Sequence, residues 1–343
     1  MPNTSPGAAE TQLPDKREVW KLPFRFFWPL LAGVLAGIAL RLLFGIKNGS
    51  PYVPMMASFI YLSPILVGIV TVYVAERQRR RRAEYYFAAP FLANILYVVG
   101  TLMINVEGWI CAIIIVPLFA VLGGIGGLIM GLICRLTNWP RQALYGFATL
   151  PFVFGLIENG IPLPERTNIV ERTILIDASP ESVWREIENV RDIQPEEVDR
   201  AWMYRIGVPV PKSGVTQQTS EGLVRRITMG KNIYFDQVVT DWQPNRYVRW
   251  TYHFYPDSFP PYALDEHVVL GGQYFDVTDT SYSLTPYGQG TELRVHMSYR
   301  VSTQFNWYAE PVARFLVGNF EDVVLQFYRN RTEAVRPTRT TNS

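Results

Sequence analysis

Val170-Glu171-Arg172-Thr173-Ile174-Leu175-Ile176-Asp177-Ala178-Ser179-Pro180-Glu181-Ser182-Val183-Trp184 changes its period half-way, and that change decides the fold. From Asn168 to Ala178 the side chains alternate as in a half-buried strand, with Arg172, Ile174 and Ile176 on one side and Thr173 and Leu175 on the other. Ser179 then offers a helix N-cap, Pro180 suits the first helical position, and Val183, Trp184 and Ile187 make an apolar helical face. Three hairpins are predicted downstream. Val215–Ser220 and Leu223–Met229 flank Glu221-Gly222; Ile233–Trp242 and Tyr247–Tyr255 flank Gln243–Arg246; Gly272–Thr285 and Thr291–Val301 flank Pro286–Gly290. The last element is an amphipathic helix over about 307–335, with Pro311 in its first turn and Val312, Phe315, Leu316, Phe320, Val323 and Phe327 at helical spacing. A helix of that kind needs an apolar surface, and an antiparallel sheet has a face to offer. The order therefore predicts an α+β domain in which a curved antiparallel sheet grips one long C-terminal helix, with space for a cavity between them.

The opening segment resembles that of the START-like helix-grip superfamily, also called SRPBCC or the polyketide cyclase/dehydrase and lipid transport group. Two hairpins carry the same resemblance: Val239-Thr240-Asp241-Trp242-Gln243-Pro244-Asn245-Arg246-Tyr247, and Leu284-Thr285-Pro286-Tyr287-Gly288-Gln289-Gly290-Thr291-Glu292-Leu293. It spans about 168–334, roughly half the chain. It implies the helix-grip fold and leaves the activity open, because this fold serves lipid carriers, hormone receptors, cyclases and chaperone activators alike.

Upstream lie four long apolar runs, Phe24–Ile46, Met55–Ala75, Tyr86–Val106 and Trp109–Leu136. Each matches the roughly 20 residues that cross a bilayer. An α-helical membrane region over 24–160, of four or five helices, is expected after a disordered cytoplasmic lead-in (1–23) and before the helix-grip domain (165–335) and a short tail (336–343). Met1–Pro14 lacks the order of a signal peptide. Lys16, Arg17, Lys21 and Arg25 precede the first run, Arg77 and Arg79–Arg82 join the second to the third, and Arg135 and Arg141 follow the fourth. The other links are nearly free of positive charge, with Lys47 the exception. The positive-inside rule then puts the N-terminus in the cytoplasm, and the expected compartment is the plasma (inner) membrane. Ala143–Ile157, interrupted by Pro151, decides the side of the C-terminal domain; Arg141 before it and Glu158 after it favour a crossing, which places that domain outside. Glycines four apart, Gly33 and Gly37, and Gly123, Gly127 and Gly131, predict close helix packing and would also allow an oligomer.

The chain has 343 residues and a net charge of +2, which hides an asymmetry. Residues 1–160 carry 13 Lys/Arg and 7 Asp/Glu, and the rest 19 and 23. A mildly acidic soluble half excludes a nucleic-acid partner, which demands clustered cations. Both cysteines, Cys111 and Cys134, lie in the fourth run, so the soluble half is expected to have no disulfide, no thiolate nucleophile and no Cys-based metal site. His253 and His296 are out of phase with their apolar neighbours and are expected on the wetter face; His267, beside Asp265 and Glu266, is expected in a solvated loop, the alternative being acid–base work or two or three metal ligands, though the spacing matches no standard metal motif. No Ser/His/Asp order, phosphate loop or dinucleotide fingerprint stands out, so no catalytic residue, cofactor or metal ligand is assigned. The expected cavity lining is Trp250, Tyr252, Phe254, Tyr282, Leu284, Met297, Tyr299 and Phe315: large aromatics with polar tips, suited to a hydrophobic, lipid-like molecule. The expected function is a membrane-tethered binding or transfer module for such a ligand, with the bilayer as its other partner. A cyclase- or dehydratase-type enzyme and a protein-interaction module of chaperone-activator type are the alternatives.

Overall fold

The structure is a computed structural model that describes residues 21–46, 53–138, 140–220 and 222–334. The expected lead-in up to residue 20 with Lys16 and Arg17, Lys47, Glu221 and the tail at 336–343 lie outside the described residues.

Five helices come first: α1 (Lys21–Leu43), α2 (Ala57–Gln78), α3 (Ala83–Met103), α4 (Trp109–Leu136) and α5 (Pro140–Glu158). Three of them, α2, α3 and α4, are long and apolar enough to cross a membrane, and α1 contains a shorter apolar stretch, Phe27–Leu43. Each of the five holds one interior proline: Pro29, Pro64, Pro90, Pro117 and Pro151. Neighbouring helices can satisfy the carbonyls that such prolines free.

The chain packs as two compact units. The first draws on the described parts of Met1–Phe44, Tyr61–Tyr97 and Leu118–Val153. Its helices approach through glycine: a side chain at Gly68 would strike the backbone of Gly123, and one at Gly127 the backbone of Tyr86. The four-residue glycine spacing of α4 thus serves packing inside the chain. Ile69, Val72, Tyr86 and Met130 form the buried centre.

The second unit takes in Gly45–Ile60, Val98–Pro117 and Phe154–Ser343, and holds the sheet. Its strands are β1 (Glu165–Ile176), β2 (Asn189–Val190), β3 (Pro211–Thr219), β4 (Gly222–Met229), β5 (Tyr234–Gln243), β6 (Tyr247–His253), β7 (Phe275–Tyr287) and β8 (Gly290–Ser302). They form one antiparallel sheet in the order β1-β8-β7-β6-β5-β4-β3-β2. Four helices accompany it: α6 (Pro180–Glu188), α7 (Pro195–Val198), α8 (Trp202–Arg205) and α9 (Asn306–Ala334). The three hairpins fall where the turn residues put them, and β1 returns to pair with β8 along its whole length. Ser179 caps α6, its Oγ accepting from the Ser182 N–H at 3.4 Å. The sheet curls around α9 as a half-barrel, a helix-grip fold. The core between them contains Ile176, Val183, Trp184, Trp250, Tyr282, Leu293, Val295, Leu325 and Tyr328.

Candidate ligand site between sheet and helix

Strand alternation aims one row of each central strand at α9. On β6 that row is Trp250 and Tyr252, on β7 Thr280, Tyr282 and Leu284, and on β8 Leu293, Val295, Met297 and Tyr299. Trp250 and Tyr299 are 0% exposed, and Tyr282, Leu284 and Met297 are buried; Tyr252 and Phe254 are half-buried. Of the eight expected lining residues, Trp250, Tyr252, Tyr282, Leu284, Met297 and Tyr299 lie in these rows, whereas Phe254 follows β6 and packs against Phe235 and Phe259. Phe315 departs from the expectation: it is 57% exposed and its ring lies 6.5 Å from that of Trp202. Beyond its first turn the buried residues of α9 are Val317, Gly318, Glu321, Leu325, Phe327, Tyr328 and Thr332, of which Phe327 alone belongs to the expected stripe. The buried face is turned from the apolar stripe of the sequence because Gly318 and Glu321, which an apolar count passes over, occupy places in it.

Glu321 is the residue that sequence reasoning missed. Its side chain is 0% exposed, and neither carboxyl oxygen has a hydrogen-bond partner. Burial disfavours the anion and pushes its pKa up to about 8, with Arg172 opposing and Asp322 and Glu171 adding to the rise. No local signal marks it, because Glu321 lies off the apolar stripe that the helical spacing gives.

A second polar cluster faces the same interior. Arg225, 5% exposed, donates to Gln237 Oε1 at 2.8 Å and lies 3.4 Å from Tyr328 Oη, with its guanidinium 5.4 Å from the centre of the Trp250 ring. Gln237 Nε2 donates to Tyr252 Oη at 3.4 Å, and Tyr252 Oη pairs with Thr280 Oγ1 at 2.7 Å. Arg225 Nε and Trp250 Nε1 have no partner. Among the described residues no carboxylate pairs with Arg225. Burial raises the pKa of Tyr252 and Tyr282, which keeps both phenols neutral donors.

The histidines divide. His253 is exposed, as expected. His296 lines a polar depression of about 260 Å³ with Glu171, Arg249, Asp279 and Arg294, out of phase with the buried row of β8. His267 is not in a solvated loop: it is 9% exposed, with Nδ1 3.2 Å from Asp265 Oδ1 and 3.7 Å from Cys111 Sγ. The sequence hid this cluster because Cys111 lies 156 positions away, in a run read only as a membrane span. Asp265 Oδ2 accepts from the Cys111 N–H at 3.4 Å, in the first turn of α4. Burial would raise the Asp265 pKa, but the hydrogen bonds from His267 and Cys111 outweigh it and hold the carboxyl at about 2.

No protein-family model and no curated protein matches the chain. Among solved structures it is similar to a START superfamily protein from Mycobacterium smegmatis, at 15% identity and a TM-score of 0.34, over 49% of this chain and 99% of that one. It is also similar to a putative uncharacterized protein from Bacillus thuringiensis, at 15% identity and a TM-score of 0.31, over 48% and 99%. A protein of Thermus thermophilus, TTHA0849, matches at 14% identity and a TM-score of 0.28, over 50% and 100%. The fold of the second unit is established by its strand order and by the helix it grips.

Proposed function

We propose that the second unit is a membrane-tethered binding or transfer module for an amphiphilic, lipid-like ligand held between the sheet and α9. One observation carries this reading: Arg225 Nε, Trp250 Nε1 and both Glu321 oxygens are buried on the interior without partners. A dry core does not leave such atoms unsatisfied, because each costs roughly 1–3 kcal/mol, and more when charged. A ligand with an apolar body and an acidic head supplies what they lack. Its head accepts from Arg225, and neutral Glu321 donates to a hydroxyl or carbonyl further along. In this reading the N-terminus and the Arg77–Arg82 link face the cytoplasm, α5 crosses, and the second unit works outside it at the bilayer surface.

A cyclase- or dehydratase-type enzyme is the second reading, favoured by Glu321 itself, since a carboxyl with a pKa of about 8 exchanges protons near neutrality. The test for binding uses the full chain in detergent, a fluorescent fatty acid as probe, and mass spectrometry of co-purifying amphiphiles. The expected result is saturable binding that Arg225→Met weakens at least about tenfold, one tenfold step being about 1.4 kcal/mol. A wild type that neither binds the probe nor carries an amphiphile through purification overturns the proposal.

A further inference from the structure

We propose that Cys111, Asp265 and His267 bind a divalent cation of the zinc type, which fastens the β6–β7 connection to the first turn of α4. The three donor atoms lie within 4.8 Å of one another, all in the second unit. Two of the three separations can be compared with those of a tetrahedral ion, and both fit. With bond lengths of about 2.3 Å to sulfur and about 2.1 Å to nitrogen and oxygen, the S···N edge should be about 3.6 Å and the N···O edge about 3.4 Å. The observed edges are 3.7 Å for Cys111 Sγ to His267 Nδ1 and 3.2 Å for His267 Nδ1 to Asp265 Oδ1.

The geometry also rejects the other chemistry these residue types suggest. In a nucleophile–base–carboxylate relay the thiol and the acid meet opposite nitrogens of the imidazole. Here both meet Nδ1. Three donors converging on one point suit a cation placed at that point. The supports are in place as well. The Asp265 carboxylate is held at both oxygens by backbone, Oδ2 accepting from the Cys111 N–H at 3.4 Å and Oδ1 from the His267 N–H at 3.1 Å, and Oδ1 is the oxygen nearer the imidazole. Glu266 Oε1 lies 3.9 Å from His267 Nε2, outside hydrogen-bond distance but close enough to favour a cation there. Glu107 and Glu266 add negative potential at His267. Water completes the fourth position. Binding releases the Cys111 thiol proton to solvent, and His267 coordinates through Nδ1 with its proton on Nε2, so that a thiolate, a carboxylate and a neutral imidazole face the ion.

The ion would act on the segment that borders the ligand site. Between β6 and β7 the chain places Phe259, Ala263, Leu264 and Leu270 against Phe235, Tyr252 and Phe254. Fixing Asp265 and His267 fixes that cover.

The test loads the full chain in detergent with Co²⁺ as the probe ion and measures zinc by elemental analysis. About one equivalent of metal per chain is expected, with a thiolate-to-cobalt charge-transfer band and the visible bands of a tetrahedral site. Cys111→Ser should abolish the charge-transfer band, Cys134→Ser should leave it, and His267→Ala should lower retention at least tenfold. In unmutated protein, chelation should accelerate hydrogen exchange over residues 256–270, an arm that needs no variant to fold. Absence of the charge-transfer band in loaded wild type, or its survival in Cys111→Ser, overturns the proposal.

Discussion

Glu321 is where the interior departs furthest from a packed core, and its ionisation makes the departure measurable. Folded, the carboxyl keeps its proton up to about pH 8; unfolded, it loses it near the ordinary value of 4.5. Between those limits folding takes up a proton, so stability falls as pH rises, and levels off above about pH 8. At roughly 1.4 kcal/mol per pKa unit the whole fall is bounded at about 5 kcal/mol. Melting midpoints of the full chain should therefore decline from pH 5 to pH 8, and Glu321→Gln should remove most of that slope. Superimposable profiles for the two proteins would show that the carboxyl is solvated or paired. Bound amphiphile should extend the wild-type fall to higher pH, because a group that accepts from the neutral Glu321 carboxyl holds its proton more tightly.

At the scale of elements, the junction of β8 and α9 bears the most weight for its size. Asn306 Oδ1 accepts from the Thr303 N–H and from Thr303 Oγ1, each at 2.8 Å, and Asn306 Nδ2 donates to the Pro164 carbonyl at 2.7 Å, just before β1. One buried amide sets the angle at which α9 enters and ties it to the first strand. Asn306→Ala should cost about 2–3 kcal/mol, since it orphans a buried N–H, a hydroxyl and a carbonyl together; a chemical melt with an unchanged midpoint would refute this. The elements themselves were legible. The Ser179-Pro180 cap, the turn residues of the three hairpins and the helical spacing after Trp307 are local signals, and local signals survive folding. The rotation of α9 was not legible, because the burial of Glu321 depends on what the sheet presents to it. Nor were β2, α7 and α8, which are too short to show a period. The Cys111–Asp265–His267 cluster was hidden by reading the two halves of the chain separately.

At the scale of the whole molecule, the arginine-rich link and α5 set the topology, and both can be labelled. On a background lacking Cys111 and Cys134, Arg79→Cys should resist an impermeant maleimide applied to intact cells, whereas Gln218→Cys should react with it. Reaction at Arg79→Cys would invert the orientation, and protection at Gln218→Cys would mean that α5 does not cross. The pairing of β1 with β8 has a consequence for biosynthesis. The Thr291 hydroxyl that bonds the carbonyl of Ala178 is 113 positions further along the chain. At about 5–20 residues per second, the ribosome leaves β1 without its neighbour for on the order of ten seconds. During that interval the nascent domain presents an open strand edge, and its assembly is timed by the last strand to emerge.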